Sequence, residues 1–308
     1  WDKDNVHLDK VKLSYWDGQD TNKPTEAFKD GSFTMARLFP TSASYPETEK
    51  EYKDNIVYTQ QDSSTFLVGI NIDRQSYQYS SKTTDEQKTS TKKALLNKDF
   101  RQALAFGFDR TAYASQVNGA SGATKLLRNL FVPPAFVQAD GKNFGEMVKE
   151  KLVTYGDEWS NVNLADAQDG LYNPDKAKAE FAKAKAALQA EGVQFPIHLD
   201  MPVDQTNTTK VQRVQSFKQS LEATLGAENV VVDIQQLQKD DVLNITYFAE
   251  TAAGEDWDIS DNVGWSPDFA DPSTYLDIIK PSVGENTKTY LGFDSGTNNE
   301  IGRASCRE

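Results

Sequence analysis

Residues 254–272 read GEDWDISDNVGWSPDFADP. Trp257-Asp258-Ile259-Ser260 alternates apolar and polar residues, the period of a strand. Gly264-Trp265, Pro267-Asp268-Phe269 and Asp271-Pro272 then punctuate the chain. They predict a loop after the strand and a helix opening near Asp271. Working outward, residues 197–203 read as a strand, and Val211, Val214, Phe217, Leu221 and Leu225 mark a helix that ends at Gly226. Residues 230–234 read as a strand, 239–250 as a helix and 257–263 as the strand that feeds the loop. This β-α-β-α-β order predicts a parallel sheet with right-handed crossovers, in which ligands sit at the carboxyl ends of strands. A carboxylate beside an aromatic plate in such a loop suits an ammonium group, which takes charge from one and a dry face from the other. The same residues also read as a solvated acidic loop with a structural Trp.

The rest of the chain gives weaker signals. Residues 11–16 and 33–39 alternate as strands, and 65–71, TFLVGIN, is a near-continuous apolar run that suits a strand buried on both faces. Residues 74–93 are rich in Ser, Thr, Gln and Lys and read as a surface loop or mobile insertion. Within 97–118, Phe100, Ala103, Leu104, Gly107, Phe108 and Ala112 fall at helical spacing behind an Asn97 cap. Residues 118–172 read as irregular. Asn173-Pro174-Asp175 opens a helix with cap, N1 proline and early acid, whose face is Ala177, Phe181, Ala184 and Leu188 and whose end is Gly192.

Composition narrows the function. The chain has 308 residues and a formal net charge of -13. That charge argues against nucleic acid, whose phosphates demand Lys/Arg stripes, and against a polybasic membrane surface. No apolar run approaches the length of a membrane span. The single cysteine, Cys306, lies in IGRASCRE at the end of the chain, so neither a disulfide framework nor a thiolate metal site is expected. That octet reads either as a cloning scar or frame-shifted read-through, or as a native tail. With two histidines and neither a G-x-S-x-G elbow nor a P-loop, no catalytic constellation, metal site or cofactor is expected. Asp256, Asp258, Asp261, Asp268 and Asp271 leave room for a glycosidase-type carboxylate pair, although no spacing singles one out.

Two segments carry a resemblance. Gly264-Trp265-Ser266-Pro267-Asp268-Phe269-Ala270-Asp271-Pro272 resembles the G-W-x-x-D-[YF]-x-[DE]-P segment of the oligopeptide-binding proteins of peptide-import ABC transporters, extracytoplasmic solute-binding family 5. Asn97, Arg101, Ala103, Leu104, Phe108, Asp109 and Arg110 match the same family's N-x-x-x-R-x-A-[LI]-x-x-x-[IF]-D-R signature. The likeness covers roughly residues 11–293 and points to the Ami/Ali-type lipoproteins of streptococci. It implies an α/β, periplasmic-binding-protein-like type II fold with two lobes that close on a peptide, mostly the second lobe here. Residues 1–65 correspond to part of the first lobe, 66–293 to the second and 294–308 to a tail. The beginning at Trp1 reads as a processed or truncated start, with the early first lobe, the lipidated cysteine and the closing segment lacking. By the resemblance, Asp268 takes the peptide's amino terminus and Trp265 lines a side-chain pocket, with Gly264 and Ser266 beside them. Asn262-Val263 stand where some relatives carry an Arg for the peptide's carboxylate, so no fixed peptide length is implied. The implied partners are oligopeptides and ABC permease subunits, at the extracellular face of a membrane reached through a lipid anchor that this chain lacks. The alternatives are a binding protein for a glycan or metal chelate, or a carboxylate-dependent hydrolase.

Overall fold

The computed structural model describes residues 3–58 and 61–296. Short helices α1 (Lys23–Lys29) and α2 (Tyr45–Glu51) open the chain, each with a proline in its first turn. The strands expected at 11–16 and 33–39 do not form. A strand needs a partner for its backbone N–H and C=O groups, and none pairs with these segments among the described residues. They run without regular structure, and Leu13, Tyr15 and Met35 point outward.

From residue 65 the chain builds helices against strands. β1 (Thr65–Ile70) is followed by α3 (Asp85–Leu96), α4 (Lys98–Gly107) and α5 (Arg110–Gly122). A small hairpin, β2 (Gln138–Ala139) and β3 (Lys142–Asn143), leads into α6 (Phe144–Leu152), and α7 (Pro174–Ala190) follows. Then come β4 (Ile197–Asp204), α8 (Thr208–Leu225), β5 (Val230–Leu237), α9 (Lys239–Asn244), β6 (Ile259–Trp265), α10 (Ser273–Leu276) and α11 (Thr287–Leu291).

Local signals placed several of these elements. Asn173 Oδ1 accepts from the Lys176 N–H, and Pro174 sits at the start of α7. Gly226 ends α8 at φ +88°, a conformation open to glycine because it has no Cβ. The single helix expected over 97–118 is two helices. Asn97 caps α4 through the Phe100 N–H, and Asp109 caps α5 through the Ala112 N–H. A second capping side chain, that of Asp109, inside the apolar pattern restarts the helix in a new direction.

The sheet differs from the expected three-stranded parallel one. β4 and β5 are parallel, from Ile197↔Val230 to Asp204↔Leu237. β6 instead pairs antiparallel with β1, Thr65 opposite Trp265, and meets β4 through the Asp258 N–H on the Asp200 carbonyl at 3.0 Å. β6 would otherwise leave an edge of unpaired N–H and C=O groups, and β1, far upstream in sequence, fills it. For the same reason β1 is not buried on both faces: Phe66 is 82% exposed, as one face of an antiparallel pair commonly is.

The largest correction concerns residues 74–93. They are not a surface loop: Arg74 and Lys82 are buried, and α3 begins at Asp85 behind a Thr84–Gln87 capping box. α3 buries Ser90, Thr91, Ala94 and Leu95, so low apolar content concealed it. The core lies between helices and β4, where Phe100, Ala103, Leu104 and Phe106 of α4 join Ala177, Phe181, Ala184 and Leu188 of α7 against Leu199 and Met201. Each large side chain buried there contributes about 1.5–3 kcal/mol. Of the expected tail, residues 297–308 with Cys306 lie outside the described residues.

Candidate functional site

Gly264 and Trp265 are the last two residues of β6, not part of a loop after it, so they are held by the ladder. Gly264 lies opposite Phe66, and a Cβ there would come within 2.4 Å of the Phe66 ring. Its carbonyl accepts from the Tyr290 hydroxyl at 2.6 Å. Trp265 is half-buried, and its Nε1–H is buried with no acceptor among the described residues. Ser266 is exposed, with its hydroxyl 2.8 Å from that of Ser64. Asp268 is exposed, and its backbone N–H donates to Thr274 Oγ1 at 2.9 Å. Its carboxylate has no hydrogen-bond or ion-pair partner among the described residues. Asp271 accepts from the Ser273 N–H at 2.9 Å, just ahead of α10. The strand end thus presents an exposed carboxylate without a partner among the described residues, three residues after a half-buried indole.

A second acidic group lies at the other end of β6. Arg74 donates to Asp200 (2.7 Å), Asp258 (2.8 Å) and Asp256 (2.6 Å), and Lys82 to Asp200 (2.7 Å) and Asp258 (2.5 Å). Ser80, the Ser81 N–H and Gln235 complete the shell of Asp200. Burial alone would raise the Asp200 pKa, but Lys82 and Arg74 hold it well below the usual carboxylate range. Two internal cations and several neutral donors therefore occupy these three acids. Asp258 was in view from the sequence, but Arg74 and Lys82 were not. The available signal was Asp200 in the apolar strand PIHLDMPV: a charge buried on a strand requires a partner.

Glu255 is fully buried and handled differently. The Trp257 indole donates to its Oε2 at 2.5 Å, while Oε1 has no partner among the described residues. Burial pushes its carboxyl up to about 8, opposed by the Trp257 N–H and Lys288.

A cavity of about 560 Å³ opens between the β1–β6 pair and helices α4, α5 and α8. Val68, Ile70, Leu104, Phe108, Phe217 and Ile259 form apolar walls, and Arg213, Asp261 and Tyr113 form a polar corner. The Tyr113 hydroxyl (2.8 Å) and Arg213 Nη2 (2.6 Å) both donate to Asp261 Oδ2. Neither Trp265 nor Asp268 lines this space, and no sequence motif marks it.

The family profile described as "Bacterial extracellular solute-binding proteins, family 5 Middle" matches residues 1–287. The chain is 85% identical over 299 residues to oligopeptide-binding protein AliA of Streptococcus pneumoniae serotype 4, covering 97% of this chain and 45% of that protein. It is 70% identical over 308 residues to oligopeptide-binding protein SarA of Streptococcus gordonii, covering 100% of this chain and 46% of that one. The chain therefore spans about half the length of the curated relatives it matches. The solved structure of Listeria monocytogenes OppA bound to peptide shares the fold, with a TM-score of 0.58 at 23% identity over 94% of this chain and 47% of that one.

Proposed function

The chain belongs to the bacterial extracellular solute-binding proteins of family 5, and from that premise we propose that it is part of a protein that captures oligopeptides outside the cell for an ABC importer. The observation that carries the reading is the uncommitted Asp268 carboxylate just beyond β6. A peptide's α-ammonium leaving water needs a compensating charge, and Asp268 offers one that no cation among the described residues uses. Trp265, fixed by the ladder, lines the adjacent side-chain pocket. Gly264 and Ser266 shape the approach. The peptide's amino terminus is thus read by charge and its body by backbone groups common to all peptides, so selectivity for sequence is broad. The reading includes no catalytic step.

In this proposal residues 66–293 are the second lobe, 1–65 part of the first and 294–308 a tail. The complete protein is anchored by lipid at the extracellular face of the membrane and hands peptide to permease subunits. Because the ligand is enclosed between two lobes, this chain alone binds peptide weakly.

Calorimetry on the complete protein tests the reading. Removing one partner of a buried charge pair costs about 2–5 kcal/mol, roughly 30-fold to several thousandfold in affinity. Asp268→Asn should weaken free peptides by that factor. N-acetylated peptides should bind the wild type poorly and lose little more on substitution. Equal weakening of both would make Asp268 a structural loop residue.

A further inference from the structure

A packed interior leaves few voids larger than a water molecule, yet the chamber beneath β1 and β6 spans about 560 Å³, within the range of small-molecule sites. Its polar lining is already committed. Arg110 donates to Asp169, Arg128 to Asp166 and to Thr65 Oγ1, and Arg213 to Asp261, which also accepts from the Tyr113 hydroxyl. The Arg213 Nε–H has no acceptor among the described residues, but it is buried out of reach of a guest. Asp62, exposed at the rim, accepts from the Ser64 N–H at 2.8 Å. Each lining guanidinium thus faces its own carboxylate, and a charged guest would leave water without gaining a counter-charge. The rest of the surface is apolar. Leu104, Phe217 and Ile259 are buried at the floor, whereas Phe66 and Leu126 at the mouth are 82% and 41% exposed. An uncharged apolar guest strips no polar group of water and covers two side chains that the fold leaves exposed.

We propose that this chamber binds one neutral apolar guest, held by its aliphatic and aromatic walls and by no ion pair. Dry cavities with apolar walls take up apolar guests on that ground alone. The chemistry has two sources, a free small apolar molecule or the uncharged apolar side chain of a peptide. The mouth lies beside the end of β6: Thr65 stands opposite Trp265, and the Ser64 hydroxyl is 2.8 Å from that of Ser266. The site stands on the chamber itself and does not depend on the peptide-ammonium reading of Asp268.

All residues that line the chamber belong to this chain, so isothermal titration on the 308-residue chain is the test. Butanol, hexanol and octanol should bind one per chain, with affinity rising about fourfold per methylene. Octanoate and octylammonium should displace octanol about tenfold less well than unlabelled octanol displaces its deuterated form, because neither charge finds a free partner. Val68→Trp fills the chamber from the strand side and Ala105→Phe from the helix side. Each should abolish octanol binding, with thermal unfolding confirming that the variant is folded. Asp268→Asn should leave octanol binding unchanged, which keeps the two sites distinguishable. Displacement of octanol by N-acetyl-leucyl-leucinamide but not by N-acetyl-alanyl-alaninamide assigns the peptide side chain, and displacement by neither assigns the free molecule. Four results would overturn the proposal: unsaturable binding, octanol binding unchanged in both filled variants, either charged analogue competing as well as octanol, or equal displacement by the two peptides.

Discussion

Asp256 and Asp258 precede β6 and are buried, whereas Asp268 and Asp271 follow it and are exposed. Both pairs come from the same acidic stretch. The first pair, with Asp200, is neutralised by Arg74 and Lys82 from a segment far upstream. In the second pair Asp271 accepts from the Ser273 N–H, and the Asp268 carboxylate meets nothing within the described residues. Glu255 is a third case, buried without an ion pair among the described residues, and burial raises its carboxyl to about 8. An acid's role therefore follows from what the fold brings to it: a cation makes it structural, burial alone makes it neutral, and solvent leaves it available to a ligand.

The sharpest way to break this contrast is Arg74→Met, which leaves Asp200 and Asp258 to Lys82 and strips Asp256 of its cation. Breaking a buried pair from one side costs about 3–5 kcal/mol, so the urea midpoint should fall accordingly. The acid limb should change as well. The Asp200 carboxyl is depressed in the folded state, so its contribution is complete above the ordinary value of 3.8 and is lost as pH falls below it. Arg74→Met should make that acid loss shallower.

Glu255 gives the next effect, with the opposite sign. Its folded pKa is raised from 4.5 to about 8, so between those values the folded state holds a proton that the unfolded chain has released. Stability from this group therefore falls as pH rises through that window, by about 1.4 kcal/mol per unit. Glu255→Gln should remove the slope, and the difference between wild type and variant should change by about 3 kcal/mol between pH 5 and pH 7 in urea titrations.

The exposed pair should respond least. Asp271→Ala removes the acceptor for the Ser273 N–H and should give a thermal shift smaller than either change above. Asp268→Asn should leave the unfolding midpoint within roughly 2 °C, even though it is the substitution expected to matter most for peptide capture. A large loss of stability in Asp268→Asn would erase the contrast between the two ends of β6.

Much of the local structure was legible in the sequence. Asn97 and Asn173 announce the helices they cap, and Gly226 marks the end of α8. The β4–β5 pairing follows from the strand–helix–strand pattern between 197 and 237. The candidate peptide site was legible only as a motif: Gly264, Trp265, Ser266 and Asp268 could be named, but not that the first two belong to the strand. Residues 74–93 were misread because polar composition signals solvent only when no buried acid waits for the cations.

What the sequence determined by itself is whatever a few neighbouring residues decide: helix starts and stops, strand periods and the family motif. Backbone geometry and capping act over one or two turns, so their signals are local. The tertiary structure alone decided which partner completes β6, which carboxylates are neutralised and where the chamber opens. Arg74 and Asp258 are 184 residues apart in the chain and 2.8 Å apart in space. Charges, sheet edges and cavities are satisfied by whatever folding brings near, and that proximity has no period along the sequence.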